Sequence, residues 1–331
     1  TLQFGKNNTY ISALTLPTSV GGWRAGGIQA AGSGGTRVFV ANYGQDSSFA
    51  GNKTAQGNTD ENGLGDFYYA VPSGYLAVCS ANLPEPTIGP NSATQADDHF
   101  NTVLRNGFGS SGGSVTGVGF KPDWYWEKVR SATGNHYIVD SSRGVTKGIY
   151  SNLANAEGTD RSTSSTIAVW LWKANGGTTS SNTDGSQTTT VQANTTAGFS
   201  IVLYTGTGST DTFGHGLGAV PKWFFTKTRS TTGDWIVYHG ANTSAPQTDF
   251  LKLNENNATE DLNTMYNDTA PTSTVFTLST NGDVNTSGRT QVGYCFAEVE
   301  GYSKFGSYTG NGNADGTFVY TGFRPAWVLI K

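Results

Sequence analysis

Apolar and polar residues alternate with a period of two along much of the 331-residue chain. In WYWEKVR, Trp124, Trp126, Lys128 and Arg130 share one side, and Tyr125, Glu127 and Val129 share the other. WFFTKTR repeats the arrangement, with Trp223, Phe225, Lys227 and Arg229 opposite Phe224, Thr226 and Thr228. Successive side chains of a strand point to opposite faces, so this period predicts β-strands. A face that begins with tryptophan and ends with lysine and arginine predicts a strand running from core to rim. The turn residues SATG and STTG follow, and HYIVD and WIVYH return as the next strands, so each pair predicts a hairpin.

The same pattern recurs at a long interval. Trp124, Trp223 and Trp327 are spaced by 99 and 104 residues. A proline lies two positions before each (Pro122, Pro221, Pro325) and a lysine four after (Lys128, Lys227, Lys331). Nineteen positions before each, RNGFG, YTGTG and YTGNG coincide at Arg105, Tyr204 and Tyr308. A second half matches too: TIAVWLWKANGG aligns with QVGYCFAEVEG, which sets Trp170 and Trp172 on Tyr294 and Phe296. Proline has no amide donor and suits only the first residues or the edge of a strand, so it fixes where each strand begins. A repeat of about 100 residues is the size of an autonomous domain rather than of a short solenoid unit. The expected organisation is all-β, with tandem β-sandwiches of the concanavalin-like or jelly-roll-like kind over residues 99–198 and 199–302. Residues 303–331 read as the start of a third copy. The loops between the matched halves diverge, as surface loops do.

Residues 1–90 have a different character. TRVFVANYG reads as a strand, followed by a long polar loop and then DFYYAVPSGYLAVCSANLPEP. Pro72, Ser73 and Gly74 predict a turn before a strand over Tyr75–Cys79. Pro84, Pro86 and Pro90 then interrupt regular structure, which sets a linker at 91–98.

Composition supports strands over helices. Hydrophobic residues make up 35% of the chain and charged residues only 13%, so the long-chain helix formers are scarce. The formal net charge is −4 with no basic run, which argues against nucleic acid as a partner. No apolar stretch is long enough to span a membrane. Cys79 and Cys295 both sit in strand-like runs and read as small buried hydrophobes. The chain starts without Met and stops after an apolar strand, so both ends look cut from something longer. Phe318, Tyr320, Phe323, Trp327, Val328 and Ile330 are therefore expected to pack in a continued third domain or against another subunit.

Candidate chemistry is sparse. His99, His136, His215 and His239 show no metal-ligand spacing. Asp97 and Asp98 are adjacent, so on a strand they point apart and cannot flank one bond. No phosphate-binding loop is present, and NTDENG and NGDVN do not fit an EF-hand. No cofactor is expected. Lys128, Arg130, Lys227 and Arg229 have two readings: strand-end groups paired with Asp140 and neighbouring carboxylates, or contacts for an anion or an acidic sugar. Strand tryptophans read as buried, whereas Trp23, in the glycine-rich GGWRAGG, reads as a loop residue that a sugar could stack on. Trp23, Lys128, Arg130, Lys227 and Arg229 are thus the candidate ligand contacts.

The segments WKANGGTTSSNTDG, GFSIVLYTGTGSTDTFGHGLGAVPKWFFTKTR, TTGDWIVYH and GSYTGNGNADGTFVYTGFRPAWVLIK resemble a repeated domain of tailed-phage and environmental-virus proteins. VFVANYGQDSSF and FYYAVPSGYLAVCSANLPEP resemble the C-terminal part of a SPRY-type, concanavalin-like sandwich, which often precedes that repeat in phage proteins. The resemblance implies a virion structural protein, a tail fibre or adhesive appendage, in a homo-oligomer or with other virion proteins and in contact with host-surface polysaccharide. It supplies no catalytic residue. The alternative is a secreted cellular glycan-binding protein or glycoside-processing enzyme built from the same sandwiches.

Overall fold

The computed structural model describes residues 5–6, 9–10, 42–82, 86–89, 92–106, 115–159 and 166–331. The chain divides into two compact units, Thr1–Glu85 and Pro86–Lys331.

In the first unit, β1 (Gly5–Lys6) and β2 (Thr9–Tyr10) pair antiparallel. Residues 42–79 are loops tied by a bridge between Asn58 and Phe67, and a 3₁₀ turn follows at Ser80–Asn82. The turn at Pro72–Gly74 forms, with Tyr75 N donating to Pro72 O at 3.2 Å. The strand expected over Tyr75–Cys79 does not. Its donors are taken by loop acceptors: Ala77 N by Asp60 Oδ2 at 2.8 Å and Val78 N by Tyr43 O at 3.0 Å. Cys79 is consequently exposed, a correction to its reading as a buried thiol, while Cys295 is buried. The strand expected in TRVFVANYG falls mainly outside the described residues.

The second unit carries the repeat. The first copy forms β3 (Phe100–Asn106), β4 (Trp124–Val129), β5 (His136–Asp140), β6 (Gly148–Tyr150) and β7 (Thr166–Trp172), in the sheet order β3-β7-β4-β5-β6. The connection to the second copy supplies β8 (Ser180–Asn182) and β9 (Thr189–Asn194). Then come β10 (Phe199–Thr205), β11 (Asp211–Gly214), β12 (Pro221–Thr228), β13 (Ile236–His239) and β14 (Asp249–Lys252). They are followed by β15 (Glu260–Asp261), α1 (Asn263–Tyr266), β16 (Val275–Leu278), α2 (Gly282–Asn285) and β17 (Thr290–Ala297). The second sheet has the order β15-β14-β13-β12-β17-β10-β9-β8. Its inner run β10-β17-β12-β13-β14 reproduces the first sheet strand for strand. The registers agree as well: Trp124 pairs with Trp172, and Trp223 with Phe296, as the repeat alignment requires. Pro221 opens β12, and the ladder shifts register between Pro221 and Trp223, where the missing donor would otherwise break it.

The two copies do not form separate sandwiches. Their sheets face each other and share one core. Trp124, Trp126, Ile138 and Trp172 of the first copy interleave with Phe199, Trp223, Phe225, Tyr294 and Phe296 of the second. The Trp124 ring lies 5.0 Å from Tyr294 and 5.6 Å from Phe199. The reason is in the side chains. Each copy's inner face is aromatic along its central strands, and large rings bury most completely against rings of a second sheet. The outer face of the second sheet is also apolar. It is covered by the pair β11–β16 and by α1, with Phe213, Phe224, Met265, Tyr266 and Phe276 fully or nearly fully buried. The result is an all-β sandwich with a further layer on the second copy.

Candidate functional site

Of the five candidate contacts, Trp23 lies outside the described residues. The other four are not brought together on one surface. Lys128 donates to Gly134 O in its own hairpin turn, and Arg130 is exposed just beyond β4. Lys227, expected at the rim, has no exposed surface. Its Nζ donates to Ala154 O at 3.1 Å and to Thr228 O at 3.0 Å, and burial pushes the ammonium down to about 8 against the opposing pull of Asp283 and Asp234. Arg229 grips Glu157 through Nε at 3.0 Å and Nη2 at 3.2 Å. The rim expectation failed because the loop around Ala154 in the first copy folds over the strand end of the second. Gly233 N donates to Ala154 O at 2.9 Å, and Glu157 N to Arg229 O at 2.9 Å. The contact is long-range, and strand alternation carries no sign of it.

That loop belongs to a buried ionic network. Asp140 ends β5 on the inner face, and Arg143 in the following turn binds it through Nε while reaching Glu157 Oε2 with Nη1 at 3.0 Å. Both Asp140 and Arg143 side chains are fully buried. Burial alone would weaken the charge on Arg143, but Tyr294, Asp140 and Glu157 outweigh it and hold the guanidinium protonated. Burial likewise pushes the Glu157 carboxyl up, and Arg229 and Arg143 bring it below the usual range. Asp140 entered the sequence reading as a partner for arginine, whereas Arg143 and Glu157 carried no signal beyond their charge. Asp140 and Arg143 are closed to solvent, and Glu157 and Arg229 keep 13% and 15% of their side-chain surface, so the network's evident role is to join the copies.

An open concave surface lies in the first unit. A cleft of about 400 Å³ is lined by Tyr43, Phe49, Phe67, Tyr68, Tyr69 and Tyr75. Tyr43, Tyr69 and Tyr75 are about half exposed, at 46%, 47% and 57%. Carboxylates and glycines set these rings. Burial pushes the Asp60 carboxyl up, yet amide donors from Ala77, Leu64 and Asn62 and the Asn82 side chain overcome this and keep it ionised. With its oxygens facing N–H donors, Asp60 in NTDENG organises the loop and is not arranged as a cation ligand. Gly44 and Gly65 are left-handed, at φ +100° and +90°, and a Cβ on either would come within 2.8 Å or 2.6 Å of the Phe67 ring. The sequence reading looked for exposed tryptophan and took Tyr75–Cys79 as a strand. The tyrosines became visible as a surface only once that segment proved to be a loop. Chemically, the cleft offers apolar ring faces edged by phenol hydroxyls, the usual composition of a small-ligand site.

Among the described residues, no group of His, Cys, Asp and Glu is placed to hold a metal ion, and no helix is long and apolar enough to cross a membrane. The chain belongs to a family described as a domain of unknown function (DUF7483), which it matches over residues 95–168 and 161–331. No curated protein sequence and no solved structure matches it.

Proposed function

We propose that this member of the family is a non-enzymatic structural component of a virion fibre or adhesive appendage, and that its tyrosine cleft contacts host-surface glycan. The observation that carries the reading is where the repeat's chemistry goes. Lys227 and Arg229 serve to join one copy to the next, and the strand tryptophans fill the shared core. The repeat is thus a building unit, as a fibre of low charge and variable loops requires. Recognition is left to exposed rings on a loop frame, where apolar sugar faces can stack. Single contacts of this kind are weak. Copies displayed together raise the effective concentration of each further contact, and avidity can exceed single-site affinity by roughly 10²–10⁴. The resemblance of the repeat and of the first part to phage fibre proteins supports the same reading.

Two experiments test it. Mass spectrometry of purified particles from the source sample should contain the protein, and its absence from particles overturns the virion assignment. Incubation with host surface polysaccharide should give binding that Tyr43→Ala and Tyr75→Ala together abolish, with no release of reducing ends. Sustained release would instead favour a glycoside-processing enzyme, which needs two carboxylates about 5–9 Å apart across the bond.

A further inference from the structure

We infer that His99 is an acid-released latch, which ties residues 92–98 to β9 near neutral pH and lets them go when its ring takes a second proton. The inference is independent of the virion and glycan reading. Residues 92–98 lead the chain into β3, and Ala96–Asp98 form a 3₁₀ turn. His99 closes that turn, its N donating to Ala96 O at 3.1 Å, and the residue is buried.

Its ring joins two distant parts of the chain through a hydrogen-bond series that has one direction. Asn194, at the end of β9, accepts from Ala197 N at 3.0 Å through Oδ1 and donates to Lys173 O at 3.1 Å through Nδ2. Those two bonds fix which end of the amide is nitrogen. A flipped amide would set oxygen against the Lys173 carbonyl and N–H against the Ala197 N–H. The Nδ2 group therefore also meets His99 Nδ1, 2.9 Å away, as a donor. Nδ1 must accept, so the neutral ring carries its proton on Nε2 and donates it to Thr94 Oγ1 at 2.9 Å. Thr94 in turn donates to Asp98 Oδ2 at 3.1 Å, which also accepts from Gln95 N at 2.8 Å. With its proton on Nε2 the ring cannot take one from Thr94, so the series is a tie and not a nucleophile–base pair.

A second proton breaks the tie. Imidazolium donates from both nitrogens, and Nδ1–H then meets the N–H of an amide that cannot turn. The groups around the ring do not compensate. Burial and the Lys173 ammonium favour the neutral form and outweigh the Asp98 carboxylate, which holds the ring below its ordinary 6.5. The Tyr302 ring lies edge-on 6.1 Å away, and burial pushes its phenol up, so it stays uncharged. The folded state thus binds this proton less firmly than the unfolded chain does. The latch is whole above pH 6.5 and loses its hold as pH falls from 6.5 to the folded value. Thr94 and Asp98 then lose their link to β9.

Nitrogen-15 NMR of the intact chain follows the ring, with His99→Gln assigning its signals. At pH 7 the ring should be neutral with its proton on Nε2, and its midpoint should lie below 6.5. Amide exchange over 92–99, corrected for its intrinsic pH dependence, should speed as pH falls below 6.5. The gain should reach about tenfold for each unit by which the midpoint is depressed. His99→Gln should lack this acid step, and the difference between parent and variant removes any contribution from His136, His215 and His239. A proton on Nδ1 at pH 7, or a midpoint at or above 6.5, overturns the proposal. So does exchange over 92–99 that is the same at pH 7 and pH 5, or an acid step that survives in His99→Gln.

Discussion

The hydroxyl of Tyr294, on the central strand of the second copy, donates to Asp140 Oδ2 at the end of β5 in the first copy, with an O···O distance of 2.6 Å. Both residues are buried, and the bond crosses the core between the two sheets. Through it, one copy completes the polar requirements of the other.

Replacing that phenol tests the bond without changing the shape of the core. Tyr294→Phe should destabilise the protein by about 1.5–3 kcal/mol, the range for a hydrogen bond to a charged group. Urea denaturation measures it. A change below about 0.5 kcal/mol would mean that Arg143 alone satisfies Asp140.

Arg143→Met removes the buried cation and leaves Asp140 uncompensated. A loss of about 3–5 kcal/mol is expected. Adding Asp140→Asn should recover part of it, so a double-mutant cycle over the pair should show strong coupling. Additive effects would show that the two charges are stabilised separately.

Lys227 gives a pH-dependent test. Its folded pKa, about 8, lies below the ordinary value of 10.5, so the folded state holds the proton less firmly than the unfolded chain does. Stability therefore rises with pH through the window from about 8 to about 10.5, and the full burden of burying the charge is felt below it. Lys227→Met should remove this rise and be more stable than the parent at pH 7. Denaturant midpoints measured from pH 7 to 10.5 check both statements. An equal slope in parent and variant would place the charge elsewhere.

Much of this fold could be read from residue order. The two-residue period of WYWEKVR and WFFTKTR located β4 and β12, and the alignment of Trp172 with Phe296 set equivalent positions that the structure pairs with the repeat tryptophans in both copies. The sharing of the core could not be read. Alternation says that a face is apolar, but not which other face meets it, and two aromatic faces of equal length suit each other as well as a separate partner. The burial of Lys227 was hidden for the same reason, because the loop at Ala154 covers it from 73 residues away. In the first unit, DFYYA and YLAVC have strand composition. The Asp60 carboxylate captured the amide of Ala77, and the segment became one side of the cleft.

Gly44→Ala probes that loop frame. The residue is left-handed, and a Cβ would stand 2.8 Å from both the Phe67 ring and the Ala77 side chain. The substitution should cost about 1–3 kcal/mol locally. Faster amide exchange at Leu64 and Ala77 should accompany it, with weaker polysaccharide binding, while exchange in β7 and β17 stays unchanged. Unaltered exchange at Leu64 and Ala77 would show that the cleft does not depend on this turn.

The claim that the two copies are halves of one folded body is tested most directly by native-state hydrogen exchange of the intact chain in increasing denaturant. The slowest amides of β7 in the first copy and β17 in the second should converge on one opening free energy with one denaturant dependence, because neither sheet can keep its aromatic face buried without the other. Two separate free energies, with β7 opening while β17 stays protected, would show that each copy has a core of its own and would contradict the account.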